Sequence, residues 1–273
     1  MKFIEKRVPI DGYNGEFRLD WYGDTHFGSS SVDERTLEDD VQRTRDNNRF
    51  WAFGGDGVDG ILPDDTRRFD SGNISDWAWA AHKDHKLISA EYARWAEVFG
   101  PIADKCLFYA KGDGKHNRHE NVDDCRDAML QRVGIPGAYQ GVYYTFKFYR
   151  TATSMVSVPL LFHHSRITGT DGNKVNRLER LMNSWPEVWG VFVGHGHSKA
   201  QTPPVIGMVE RGGKSSAIHR KGAMTGSYLR TYADDTIGYG ETALYPPVAL
   251  GHITIVIRPF CRDLRRRIEI ENA

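Results

Sequence analysis

The stretch Phe17-Arg18-Leu19-Asp20-Trp21-Tyr22-Gly23-Asp24-Thr25-His26-Phe27-Gly28 decides how the chain is read. Its apolar and aromatic first half, Phe17 to Tyr22, reads as a strand, and the strand ends in a Gly-Asp turn. On an extended turn, Asp24 and His26 at i and i+2 would point the same way and could chelate one cation. The pattern recurs along the chain. Arg49 to Phe53 reads as a strand leading to Gly55-Asp56-Gly57-Val58-Asp59, and Cys106 to Ala110 as one leading to Gly112-Asp113. Between these strands lie helical signals. SVDERTLEDDVQRTRDN (31–47) opens with Ser and acidic residues, and 86–99 carries Leu87, Ile88, Tyr92, Trp95, Val98 and Phe99 on one face before Gly100-Pro101. Strands alternating with helices point to an α/β layered architecture.

The rest of the chain extends this reading. ENVDDCRDAMLQRVG (120–134) is expected to be a helix with Met129, Leu130 and Val133 inward and Gly134 as its stop. VYYTFKFYR (142–150) and MVSVPLLFHH (155–164) are expected to pair as strands through the polar turn TATS, followed by the helix NKVNRLERLMNSW and the strand VWGVFVGHGH. The tail from Pro203 reads as mainly β, and Ile61 to Asp84, polar and without periodicity, as a long surface excursion. No repeat or linker interrupts the chain, so one domain over 1–273, two packed sheets with flanking helices, is expected.

Composition narrows the function classes. The 273 residues are 40% apolar and 26% charged, enough for a substantial core, and 36 basic residues balance 36 acidic ones, so no global field draws the chain to nucleic acid. Cys106, Cys125 and Cys261 form no Cys-x-x-Cys pair and read as packing residues in a reducing compartment. MKFIEKRVPIDG has no signal-peptide pattern, and no apolar run is long enough for a membrane span, so a cytoplasmic protein without membrane contact is expected.

The 11 histidines cluster beside Gly and Asp, often at the ends of apolar runs. Imidazole is the commonest metal ligand and Asp supplies hard oxygen, so these clusters raise a metal-site expectation. The candidates are Asp24 and His26; Asp56; the run Gly112-Asp113-Gly114-Lys115-His116-Asn117-Arg118-His119-Glu120; His163 and His164; and His195 and His197.

Taken in order, Asp-x-His, Gly-Asp-x-x-Asp, a Gly/Asn/His turn, His, and Gly-His-x-His resemble the calcineurin-like metallophosphoesterase superfamily, over residues 24 to 197. The resemblance implies a four-layer αββα sandwich of two mixed sheets, with two divalent transition-metal ions at the carboxyl ends of its strands. It also implies hydrolysis of a phosphate ester by a metal-bound hydroxide. Carried over residue by residue, Asp24, His26 and His197 would hold one ion, Asp56 would bridge, and His163 and His195 would hold the other, with His164 the alternative to His163. Mn²⁺ is the leading ion, with Fe, Zn and Ni also suited to such ligands.

The third motif departs from the family's Gly-Asn-His. One register makes Asp113 the ligand and His116 the acid beside the leaving group; a second puts Gly114-Lys115-His116 on the motif, leaving Asn117 to serve; a third uses Asn117 and His119. The first is preferred, because Asp113 follows the strand directly and a carboxylate is a good hard ligand. More narrowly, residues 163–197 with TGSYLRTYADD and YPPVALGHITIVIRP look like members associated with bacteriophage and prophage genomes.

Asp59 reads as a turn former or as a carboxylate orienting a metal-bound histidine. His82 and His85 read as solvated, His219 and His252 as structural or surface residues, and the arginines at 262 and 265–267 as a solvated face, with a phosphate-rich partner as the alternative. GGDG (54–57) lacks the Lys-Ser/Thr ending of a P-loop. Trp77 and Trp79 sit where a lid or base-stacking contact would be sought. The expected activity is that of a phosphodiesterase, with DNA or RNA as a candidate substrate. A phosphomonoesterase and a scaffold that has lost its second metal are the alternatives.

Overall fold

The strands and helices read from the sequence assemble into two facing sheets in a computed structural model that describes residues 1–66, 69–83, 86–112, 120–211, 213–232, 241 and 244–272. In chain order the elements are β1 (Lys2–Pro9), β2 (Phe17–Tyr22), α1 (Glu34–Asp46), β3 (Phe50–Phe53), α2 (Asp76–Lys83), α3 (Leu87–Phe99), β4 (Cys106–Ala110), α4 (Glu120–Val133), β5 (Gly137–Ala138), β6 (Gly141–Thr151), β7 (Ser154–His164), α5 (Asp171–Ser184), β8 (Gly190–Gly194), β9 (Ala200–Gln201), β10 (Val205–Arg211), β11 (Lys214–Met224), β12 (Ile253–Ile257) and β13 (Ile268–Asn272). One sheet runs β1-β6-β7-β8-β11-β10, with β9 on β11, and the other β13-β12-β2-β3-β4-β5.

Both sheets are mixed. β2, β3, β4 and β5 are parallel, with β12 and β13 added antiparallel, while β7, β8 and β11 are parallel beside the antiparallel β6–β7 hairpin. The inner faces meet in an aromatic core in which Trp21 and Phe108 of one sheet pack on Phe162 of the other, with ring centroids 5.0 and 5.3 Å apart. The outer face of the β2–β4 sheet, with Tyr22, Trp51 and Phe53, is covered by apolar residues of α1, α3 and α4. Leu178 and Met182 of α5 cover β8 and β11 on the other outer face. Burying both faces of the central parallel strands explains why they read as continuous apolar runs.

Two regions differ from the sequence reading. Ile61 to Asp84 is not all irregular, because α2 lies within it and packs on α3. Two turns are too short to show a period, and a helix of that length owes its stability to docking. The two sheet-edge strands β1 and β13, which the sequence reading does not assign, are half-exposed and mix charged with apolar residues. All three cysteines are unpaired, and among the described residues no helix is long and apolar enough to cross a membrane.

Candidate metal centre

The parallel strands place their carboxyl ends on one side, where chain turns leave each sheet and ligand sites of α/β folds gather. Asp24 and His26 follow β2, Asp56 follows β3, His164 ends β7, and His195 and His197 follow β8. The two sheets are tied together at this rim. Trp21 Nε1 donates to the Val193 carbonyl at 3.3 Å, and Thr225 Oγ1 donates to the Trp21 carbonyl at 2.8 Å. Backbone hydrogen bonds from Asp24 to Gly55 and from His26 to Asp56 lace the first two turns.

Ligand atoms converge there in two groups that share one carboxylate. Asp24, Asp56, His164 and His195 form one, Asp24, His26 and His197 the other, and within each group the atoms lie within 4.8 Å of one another. His164 Nε2 stands 3.1 Å from Asp56 Oδ2 and 3.2 Å from His195 Nδ1. His26 Nε2 and His197 Nε2 are 3.1 Å apart, and the latter is 3.7 Å from Asp24 Oδ1. The sequence expectation gave the bridging role to Asp56, whereas the carboxylate common to both groups is that of Asp24.

The backbone of this rim is strained. Among the described residues seven non-glycine residues have positive φ, and five of them are Asp24 (52°), His26 (47°), Asp56 (49°), His195 (81°) and His197 (53°). The extended turn expected for Asp24 and His26 is therefore replaced by left-handed conformations. These bring the side chains inward from chain reversals too tight for a strand to continue. Such conformations persist only where the surroundings over-determine them, and they cluster at functional sites. Here His195 N–H donates to both Asp24 oxygens, at 3.1 and 2.8 Å, and Ser227 Oγ donates to the Asp24 carbonyl at 2.7 Å. The close approach of β3 and β4 requires a glycine, since a Cβ on Gly112 would fall 1.9 Å from Asp56 Oδ1.

The donor set suits a cation. Asp24, His26, Asp56 and His164 are at most 4% exposed, whereas His195 and His197 are partly open to solvent. Burial raises the carboxyl of Asp24 above its ordinary value, with Asp56 adding to the effect. Burial opposes a proton on His164, yet the Asp56 and Asp24 carboxylates outweigh it and push that imidazole up to about 9. A pocket that holds a proton this firmly between buried carboxylates is one that favours positive charge. His164 Nδ1 lies 2.7 Å from the Gly54 carbonyl and donates to it, which turns Nε2 toward Asp56 and His195. Asp59 Oδ1 is 3.6 Å from His26 Nδ1, on the side of the ring away from His197.

His163 lies outside both groups; it precedes His164 on β7 and faces the other way, against Gly141. Asp113, His116 and Asn117 lie outside the described residues, which reach Gly112 beside Asp56. Sequence reasoning missed the supports from distant segments. Ser227 and Thr225 come from the strand-to-loop exit of β11, and Glu91 of α3 accepts the Gly60 N–H at 3.1 Å, its carboxyl pushed well above the usual range by burial. No local pattern marks them, because each is a single polar residue in an otherwise ordinary run.

No family model matches the chain, and no curated protein does. Among solved structures the chain is similar to YfcE, a phosphoesterase from E. coli, at 16% identity and a TM-score of 0.37, over 94% of this chain and 97% of that one.

Proposed function

We propose that the chain is a metal-dependent phosphoesterase of the calcineurin-like type, a single domain that cleaves phosphodiesters with two divalent ions. The observation that carries this reading is the pair of Asp/His groups sharing Asp24, built from six residues, five of them left-handed, at the carboxyl ends of strands from both sheets. The order of the ligands along the chain, which resembles that superfamily, supports it independently.

In this reading Asp24, His26 and His197 would hold one ion, and Asp56, His164 and His195, with Asp24 common to both groups, would hold the other. Bound there, the ions supply Lewis acidity for the phosphoryl oxygens and acidify water. The chain's residues orient and gate. Gly54 fixes the tautomer of His164, Asp59 steadies His26, and the partly exposed His195 and His197 form the open side through which an ester approaches. His116 is assigned to protonate the leaving oxygen, and Asp113 or Asn117 to complete the second ion's ligands, from the sequence order alone. Mn²⁺ is the proposed ion, and the phage-type resemblance makes nucleic acid the diester to try first.

The test is hydrolysis of an aryl phosphodiester beside the matching monoester by metal-free protein supplied with Mn²⁺, with His195→Ala and His116→Ala in parallel. Diester turnover that disappears in His195→Ala is expected. Turnover of the monoester alone would move the reading to a phosphomonoesterase, and no bound metal with no turnover would leave a scaffold.

A further inference from the structure

The turn that carries two of the proposed ligands has an unusual support on its outer side. His195 and His197 flank Gly196, and both are in the left-handed region that L side chains rarely adopt. From within, the Asp24 carboxylate holds the His195 N–H. From without, Gly196 is wedged so closely that a Cβ would meet Met224 Sδ at 2.0 Å and the Ile167 carbonyl at 3.1 Å. Neither contact fixes the peptide after Gly196, which sets the direction of His197.

Lys174, in the first turns of α5, does reach that peptide. The residue is only 8% exposed, rare for a lysine. Its ammonium donates to Ser198 Oγ at 2.5 Å and to the Gly196 carbonyl at 3.3 Å, and stands 3.6 Å from Asp171 Oδ1. Two of its donors are thus spent on the ligand turn, on both sides of His197. The helix does not need this lysine to dock, because Leu178 and Met182 anchor α5 on β8 and β11 through fully buried apolar contacts. The carboxylate of Asp171 is largely exposed; it touches the ammonium from the rim and accepts from Ser198 Oγ at 3.5 Å, an acceptor role that the amide oxygen of an asparagine keeps.

We propose that Lys174 is a positioning residue for the metal centre, its ammonium pinning the Gly196 carbonyl and the Ser198 hydroxyl so that His197 keeps its left-handed backbone and its aim at Asp24 and His26. This inference rests on the metal-site reading above. It makes the rigidity of the ligand turn depend on a charge supplied by a helix of the outer layer. Outer partners of this kind are typically worth tenfold to a hundredfold in metal affinity.

The experiment is a titration of metal-free full-length protein with Co²⁺, whose visible absorption reports both affinity and ligand geometry, on the wild type, Lys174→Met, Ser198→Ala and Asp171→Asn. Weakening of Co²⁺ binding by about tenfold with an altered band shape is expected for Lys174→Met and Ser198→Ala, and wild-type behaviour for Asp171→Asn. Wild-type affinity and spectrum in the first two variants would overturn the role of Lys174 and leave the metal reading intact. If Lys174→Met does not fold, Ser198→Ala decides, since it removes one hydroxyl only. Failure of the wild type to take up Co²⁺ would remove the metal reading and this inference with it. An affinity loss matched in every variant, Asp171→Asn included, by a lower metal-free melting temperature would assign Lys174 to folding and overturn the proposal.

Discussion

Two clusters of aspartate and histidine lie in this molecule, and their contrast shows what separates a binding site from a structural network. The first is the rim of Asp24, His26, Asp56, His164, His195 and His197. The second joins β2, α1 and β12, where His252 sits between Asp20 and Asp40. Its Nδ1 is 3.1 Å from Asp40 Oδ2 and its Nε2 3.6 Å from Asp20 Oδ1. Thr44 and Thr254 each donate to Asp20 at 2.6 Å, and Tyr228 OH donates to Asp40 at 2.8 Å. All of these residues are at most 2% exposed, and none has a positive φ. In the second cluster each ring nitrogen faces its own carboxylate, and hydroxyls together with the guanidinium groups of Arg43 and Arg49 meet the other carboxylate oxygens. In the first, imidazole nitrogens face each other 3.1 and 3.2 Å apart, the backbone is strained, and one side is open. The same residue types therefore serve cohesion when their polar atoms pair off, and ligand binding when their lone pairs converge. Among the described residues, converging groups of three or more occur only at the rim.

This contrast breaks if substitutions in the two clusters have the same consequences. The largest effect is expected for His197→Gly, which removes a ligand where the backbone already suits glycine. Diester turnover should fall by more than the ~100-fold typical of losing an outer partner. The metal-free protein should become more stable by about 1 kcal/mol, as the left-handed strain is relieved. Kinetics and urea denaturation on one preparation check both halves, and equal destabilisation would erase the distinction. In the second cluster, His252→Ala should cost about 2 kcal/mol of stability by leaving the buried Asp20 and Asp40 oxygens one donor short, while the folded fraction keeps wild-type Co²⁺ affinity. Denaturation midpoints beside a Co²⁺ titration test this.

Metal removal probes the rim from the other direction. Mn²⁺ at a hundred times its Kd should add about 2.7 kcal/mol to the wild type, an increment lost on chelation and smaller in His197→Gly, where one of the two ligand groups is broken. The pH dependence of stability reports on the second cluster. Burial holds His252 below its ordinary value even beside Asp20. The unfolded chain then takes up a proton near pH 6.5 that the native state does not, so stability is full above that pH and falls as pH drops through it, by at most about 1.4 kcal/mol per unit. His252→Asn should flatten that window in chelated protein, where the rim is free of metal in both forms. The smallest effect is expected for His163→Gln, which should leave Co²⁺ affinity within about twofold, whereas His164→Gln should share the loss seen for His197→Gly.

Much of the fold was legible in the sequence. Strands such as 106–110 and helices such as 87–99 announce themselves by apolar runs and by 3.6-residue spacing, because these patterns record which face of a segment must be buried. The short α2 and the edge strands β1 and β13 were not legible in the same way, since their stability comes from neighbours rather than from their own periodicity. The site divides similarly. Gly-Asp after β2 and Gly-His-x-His after β8 were visible as motifs, but the choice between His163 and His164 was not. Adjacent residues on a strand point to opposite faces, and only the packing of β7 between β6 and β8 settles which face looks inward. His252 looked like an isolated histidine because both of its carboxylate partners lie more than two hundred residues away in the chain.

What the sequence determined by itself is the inventory and its order: alternating strands and helices, with an Asp or His placed where one apolar run after another gives way to a turn. Local propensity and burial pattern act over a few residues and are written into composition at that scale. The packing of distant segments settles that two sheets close against each other, that Asp24 is shared by both ligand groups, that five residues in three rim turns adopt left-handed backbone, and that Lys174 and Ser227 brace those turns. Those features depend on contacts between distant segments, whose geometry is set by how layers pack and which no short stretch of the chain encodes.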